Sequence, residues 1–304
     1  MTTTTDEQTT LDIRPRKGFV AFLLSLFLPG LGQVYNGQLK KAVICFSLLL
    51  FFPIVFGLTR GATTFYGLMT LLVIEILLRL YTIIDAIKYA RRQKDYIPQV
   101  YNTWYYHLII ASAMLAILWF CDMKSLTGVQ TFKIPTTSNQ PTIQFGDWVV
   151  GDMRIYNNTK PNYGDIIIFK KDDGFFYQSR LVGLPNDKLE LNDNIVSING
   201  RPSKSVFIKE AISDDMPVNE FEEELPNGHK HNLYKFIQPY DSTKTSIKNI
   251  IVPADCYYVL GDNRDNSFDS RFIGFIKKQD VFGKLIYSYW GKTTKRINID
   301  FRDK

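Results

Sequence analysis

Residues 259–275 read VLGDNRDNSFDSRFIGF, and positions 261–271 alone hold three Asp, two Asn, two Arg and two Ser. A stretch this rich in charge, set between apolar flanks, can enter a folded body only if its carboxylates and guanidiniums are paired. Alternating Asp and Asn would also suit a calcium cage, but two interspersed arginines would then sit beside the cation. The segment therefore reads as an internally paired structural loop. No His/Cys cluster has zinc spacing; His229 and His231 lie in a polar stretch and read as exposed histidines. No metal or cofactor is expected.

Outward from that loop, short β-type runs are separated by Gly, Pro, Asn and Asp. WVVGDM (148–153), DIIIFKK (165–171), FFYQSRLVGL (175–184) and YYVLGD (257–262) read as strands, and 189–200 reads as a hairpin turning on Asn192-Asp193-Asn194. Strand–helix alternation is absent, so residues 127–304 are expected to form a mostly antiparallel β domain rather than a parallel α/β sheet. An insertion at about 205–245, whose acidic part is AISDDMPVNEFEEELPNGHKHN (211–232), reads as a solvated excursion between strands.

The first 121 residues are of another kind. Four apolar stretches, 19–35, 42–58, 65–87 and 105–121, follow a tail of residues 1–17, and the last three are long enough to span a hydrocarbon core. Lys88, Arg91, Arg92 and Lys94 between the third and fourth stretches predict a cytoplasmic loop, which sends the chain outward at 105–121. Arg14, Arg16, Lys17, Lys40 and Lys41 then place both ends of 19–35 inside. That stretch is broken by Pro29-Gly30, and two readings stand: a re-entrant hairpin or one tilted span. Glu75 and Arg79, spaced i,i+4, are expected to pair. The sequence thus predicts a multi-span α-helical membrane region followed by an exported β domain, with membrane lipid as a partner. A cleaved signal peptide is not expected, since no small-residue site follows the first apolar run.

Composition narrows the classes further. The chain has 304 residues, 14% of them aromatic, and 3 Cys, which excludes disorder and a disulfide scaffold. Its net charge of +6 comes in good part from Lys and Arg flanking the apolar runs, so no nucleic-acid partner is expected.

Two further segments carry more chemistry than packing needs: the hydroxyl-rich loop KIPTTSNQPTIQFGDWVV (133–150) and SRLVGLPNDK (179–188). Together with 261–271 they resemble the ordered signature boxes of the bacterial type I signal peptidases, membrane-anchored serine proteases that use a Ser–Lys dyad. Those proteins carry P-S-x-S-M-x-P-T, then K-R-V-V-G-L-P-G-D, then G-D-N-R-D-N-S-x-D-S-R. Gly261 to Arg271 match the last box at every defined position. The resemblance covers roughly 130–290. It implies a signal-peptidase-type β domain in a bacterial plasma membrane protein, with extended signal-peptide segments as partners. It also implies Ser138 as nucleophile, Thr136 as an oxyanion donor, and Asp262, Arg264, Ser267, Asp269 and Arg271 as a structural site loop.

The sequence departs from that pattern at two places. Asn139 stands where the family has Met, losing an apolar contact toward lipid, and Ser179 stands where the family has its general-base lysine. A serine hydroxyl is a poor nucleophile near neutral pH without an adjacent base. Neither Ser179 nor Arg180, whose guanidinium stays charged, can supply one. Lys170 and Lys171 on the preceding strand are the nearest substitutes in sequence; otherwise they are solvated strand-edge lysines. The readings that follow are an active signal peptidase I-like endopeptidase with a different base, a catalytically silent relative that still binds peptides, and, weakest, a transporter built on residues 1–120.

Overall fold

A computed structural model describes residues 15–238 and 245–302. The chain forms two compact units, one from residues up to Ala62 and Tyr66–Thr127, the other from Thr63–Phe65 and residues from Gly128 onward.

The first unit is helical: α1 (Gly18–Phe27), α2 (Leu31–Tyr35), α3 (Leu39–Leu58), α4 (Phe65–Arg92), α5 (Trp104–Phe120) and α6 (Met123–Thr127). Two of these, α3 and α4, are long and apolar enough to cross a membrane, whereas α1 and α5 are shorter apolar helices. Many of their large apolar side chains face outward, among them Val43, Ile44, Val73, Ile76, Leu77, Leu108 and Ile109.

Residues 19–35 form two helices folded on each other. Leu28 leaves α1 in an extended conformation and Gly30, at φ +98°, starts α2. Gly32 then lies so close to α1 that a Cβ there would stand 2.0 Å from Ser25 Oγ and 2.6 Å from the Ala21 carbonyl. At 1.5 Å per residue, α1 is about 15 Å long, half a hydrocarbon core.

Polar side chains hold this hairpin against α4. Gln33 Nε2 donates to the Thr82 carbonyl at 2.8 Å and Asn36 Nδ2 to the Ala86 carbonyl at 2.8 Å, while Lys41 of α3 pairs with Asp85 at 2.6 Å. The expected Glu75–Arg79 pair does not form. Arg79 donates instead to the Leu26 carbonyl, and Glu75 Oε1 has no hydrogen bond, because the end of α1 offers Arg79 an unpaired helix carbonyl.

The second unit is built from antiparallel strands. β1 (Val129–Lys133), β2 (Trp148–Asp152), β3 (Ile166–Lys170), β4 (Phe176–Gly183), β12 (Cys256–Leu260), β13 (Ile276–Lys277) and β14 (Val281–Trp290) form a seven-stranded sheet in the order β1-β2-β14-β3-β4-β12-β13. β3 is central, which explains its unbroken Ile-Ile-Ile-Phe run: both faces are covered. Ile166 and Ile168 join Val149, Leu285 and Phe301 on one face, while Ile167 and Phe169 join Leu181 and Val259 on the other.

A four-stranded sheet holds β5 (Lys188–Asn192), β6 (Ile195–Ile198), β7 (Arg201–Pro202) and β11 (Ile247–Ile251). Asn192 pairs with Ile195, so the expected hairpin turns on two residues, Asp193 and Asn194, both at positive φ.

The acidic stretch is not a solvated excursion. β8 (Lys204–Ser213), β9 (Met216–Glu224) and β10 (Lys230–Phe236) form a three-stranded sheet, turning between β8 and β9 at Asp214-Asp215. Glu222 is partly exposed and pairs with Lys230 at 3.0 Å, whereas Glu220, Glu223 and His231 are buried. Cross-strand lysines and buried partners offset the poor strand preference of glutamate. Residues 239–244 of the expected insertion lie outside the described residues.

Candidate active site

Ser138 lies in the loop between β1 and β2. Ile134 and Ile143 anchor that loop in the core, and the amide of Ile143 donates to the Asn139 carbonyl at 2.9 Å. The segment 261–271 then grips the chain on either side of the serine. The Asn263 amide donates to the Ser138 carbonyl at 3.0 Å, Asn263 Nδ2 donates to the Thr137 carbonyl at 3.2 Å, and Asn266 Nδ2 donates to Thr137 Oγ1 at 3.1 Å. Gly261 is required here: a Cβ would stand 2.5 Å from the Ser138 carbonyl oxygen and 2.1 Å from Ser267 Oγ.

Four of the five charged side chains of the 261–271 loop are ion-paired, with only one pair internal, and Asp265 accepts instead from Asn194 Nδ2 at 2.7 Å and the Phe236 amide at 2.8 Å. Asp269, fully buried at the N-cap of α7 (Ser270–Ile273), accepts from Arg271 Nε at 2.8 Å, Arg271 Nη2 at 2.7 Å and the Gly261 amide at 2.9 Å. Asp262 reaches outward to Arg180 of β4, which donates to it through Nε and Nη2 at 2.6 Å each. Arg264 pairs with Glu223 of β9 and donates to the Asn194 carbonyl at 2.6 Å. The reading of a self-contained loop is thus corrected: two of its three ion pairs tie it to other strands.

Burial alone would raise the Asp262 carboxyl, but the Arg180 charge and its two hydrogen bonds outweigh that and hold it below the usual carboxylate range. Glu223 is likewise held low by Arg264 and His231 against the cost of burial. The histidines are not exposed. His229 is half-buried, with its imidazole pushed down to about 4 by burial and the Arg180 charge, and His231 is fully enclosed and also lowered, chiefly by burial.

Ser138, Ser179 and Ser267 border one cavity of about 310 Å³, together with Thr136, Asn139, Phe176, Tyr177 and Phe268. Ser179 lies on β4 opposite Ile167, and its hydroxyl donates to the Gln178 carbonyl at 2.8 Å. Thr136 is exposed and borders this cavity and a second of about 680 Å³ on which Ser138 also opens, along with Asp214, Asp265 and Lys292. Asn139 does not face lipid: it is buried, and Nδ2 donates to the Gln178 carbonyl at 2.7 Å.

Neither lysine offered by the sequence borders the cavity of Ser138 and Ser179. The Lys170 ammonium lies 4.7 Å from the centre of the Phe176 ring and 5.8 Å from that of Phe282, on the face away from Ser179. Lys171 follows β3 in a turn. The residues that sequence reasoning missed are Asn263, Glu223 and Ser213, whose hydroxyl donates to Gln140 and accepts from Asn263 Nδ2 at 3.1 Å. Asn263 lay inside a motif already singled out; nothing in the local sequence marked the other two.

A family model described as "Signal peptidase, peptidase S26" matches residues 103–290. The chain is 27% identical over 177 residues to a "Signal peptidase I" of Leptolyngbya laminosa, covering 54% of this chain and 72% of that protein. It is 29% identical over 190 residues to a "Signal peptidase I" of Rickettsia conorii, covering 53% and 71%. It is 25% identical over 220 residues to a "Probable signal peptidase I-2" of a Synechocystis strain, covering 68% and 81%.

Proposed function

Because the chain belongs to the type I signal peptidase family, we propose that it is a membrane-bound serine endopeptidase that removes signal peptides from exported proteins. The observation that carries this reading is the grip of Gly261, Asn263 and Asn266 on the Thr137-Ser138 main chain, which presents Ser138 to a cavity shared with Ser179. A loop held at three points can aim a nucleophile. No comparable observation favours a member that binds without cleaving.

The peptide has a strand to pair with. β12 ladders only with residues 180–183 of β4, so that Tyr177, Gln178 and Ser179 lie beyond the end of that ladder among the described residues. An extended signal-peptide segment adding there would carry its scissile carbonyl past Ser138. Ser138 Oγ attacks that carbonyl, and the Thr136 hydroxyl, exposed at the cavity mouth, donates to the developing oxyanion. The Arg180–Asp262 and Arg271–Asp269 pairs keep the wall in register and take no part in proton transfer.

The multi-pass arrangement also belongs to this proposal. Helices α3 and α4 span a bacterial plasma membrane, α5 leads the chain outward, and the β domain works on the exported side against lipid.

The test is cleavage of a signal-bearing precursor by the purified full chain in detergent. Wild type cleaves, Ser138→Ala abolishes cleavage, and Ser179→Lys raises the rate. Cleavage unaffected by Ser138→Ala overturns the assignment of the nucleophile. A reporter fused after residue 304 is active on the exported side; activity in the cytoplasm overturns the topology.

A further inference from the structure

We infer that the cavity between Ser138, Ser179 and Ser267 binds a primary amine from outside the chain, and that this amine is the general base for Ser138. The inference rests on the peptidase reading above.

Three observations lead to it. First, the cavity of about 310 Å³ stands open beside Ser138 although the side chain at 179 ends at a hydroxyl. Second, its hydroxyl oxygens are left as acceptors. Ser267 Oγ is enclosed and makes no hydrogen bond, and Ser179 Oγ spends its proton on the Gln178 carbonyl. Third, no cation among the described residues borders it. Arg180 is turned to Asp262, Lys170 lies on Phe176 and Phe282, and Lys292 lies 4.6 Å from the centre of the Phe145 ring in the neighbouring cavity.

An ammonium group has three donors and no acceptor, which suits a cavity bordered by Ser138, Ser179 and Ser267. Tyr177 and Phe268 also line the cavity, while the Phe176 ring is already taken by Lys170. An anion would meet no positive charge there. Enclosure by such walls also disfavours the charged amine and lowers its pKa from about 10.4 toward neutrality.

The step balances as follows. The neutral amine takes the proton of Ser138 Oγ as Oγ bonds to the scissile carbonyl carbon and the C=O electron pair moves to oxygen. When the oxyanion collapses, the C–N bond breaks and the ammonium returns its proton to the departing nitrogen. In the second half the amine takes a proton from water as its oxygen attacks the acyl carbon. It then gives that proton to Ser138 Oγ as the ester bond breaks. The amine is regenerated and nothing is oxidised. Its source is either a lysine side chain of the bound peptide or a free amine, and both present the same chemistry.

The experiment uses the full chain in a non-ionic detergent and phosphate buffer free of amines. Two acetylated precursor peptides are compared, one with lysines near the junction and one with every lysine replaced by arginine, each with and without methylamine. Positioned base catalysis is worth roughly 10²- to 10⁴-fold, so the amine-dependent gain should reach at least about tenfold. Cleavage confined to the lysine peptide identifies the substrate side chain as the base. Cleavage of the arginine peptide in proportion to methylamine identifies a free amine; either result supports the inference.

Equal cleavage of the arginine peptide with and without methylamine overturns it. Ser179→Lys, which tethers an amine in the cavity, separates the two levels of argument. If that variant cleaves both peptides without methylamine while wild type cleaves neither under any condition, the inference falls and the peptidase reading stands. If neither protein cleaves anything, both fall.

Discussion

Replacing Asp262 by Ala removes the partner of a guanidinium that is 1% exposed and deprives Arg180 of two charge-assisted hydrogen bonds of 2.6 Å. At roughly 1.5–3 kcal/mol for each hydrogen bond to a charged group, the loss is about 3–6 kcal/mol. Breaking one side of a buried ion pair gives a similar figure, about 3–5 kcal/mol. The two routes agree because the cost lies in a stranded charge. Removing both charges, as in Arg180→Met with Asp262→Leu, should therefore cost much less than either change alone.

Hydrogen exchange of the full chain in micelles resolves this within the β unit. A loss of about 3–5 kcal/mol means roughly 150- to 4,000-fold faster exchange for the slowest amides of β4 and β12. The pH dependence follows from the lowered carboxyl of Asp262. Its contribution is complete above the ordinary carboxylate pKa of about 3.9 and is lost as pH falls through the lower folded value. Less than about tenfold acceleration in Asp262→Ala, or a double variant as unstable as the single one, refutes the reasoning.

Other outcomes follow from the same geometry. Gly261→Ala places a methyl against the Ser138 carbonyl and Ser267 Oγ, so precursor cleavage should fall at least about tenfold, with the loss concentrated in kcat; an unchanged kcat shows that the loop yields. His229, held neutral down to about 4, binds fewer protons folded than unfolded, so stability should fall as pH drops from about 6.5 to about 4. Arg180, Asp262 and Lys284 are the charges it faces, with the His231 imidazole beside it, and His229→Gln should flatten that slope in a denaturation series; an identical slope removes the assignment.

How much of this could be read from the chain alone varies with the range of the interaction. The strands announced themselves because β-branched runs bounded by turn residues are local signals, and the Asp193-Asn194 turn was wrong only by one residue. The 261–271 loop was legible for a different reason: its charges had to be paired wherever it went. Which partners it took was not legible. Glu223 lies 41 residues from Arg264, in a stretch whose acidity imitates a solvated loop. That stretch became a sheet because Lys230 and Lys209 sit opposite its glutamates and because Glu223 has a buried arginine to meet. His231 misled for the same reason, since its burial depends on Arg180 and Asp262 arriving from elsewhere. In the first unit Pro29-Gly30 marked the break correctly, but the i,i+4 spacing of Glu75 and Arg79 could not foresee a competing carbonyl at Leu26.

The grip on Ser138 passes through Gly261, Asn263, Asn266 and Asn139, and the grip on those residues passes through Asp269, Arg271, Asp262 and Arg180. None of these contacts uses the side chain of residue 179, whose one hydrogen bond is to its own neighbour. A change of base at this position is therefore separable from the scaffold that aims the nucleophile. Ser179 is itself buried, so Ser179→Lys should fit only by placing its stem and ammonium in the cavity, at a cost to the β unit of no more than about 1–2 kcal/mol of overpacking. A loss of about 3 kcal/mol or more, read by exchange at β4, would mean that the side chain at 179 points into packed core. The cavity beside Ser138 would then be no place for an amine, tethered or free.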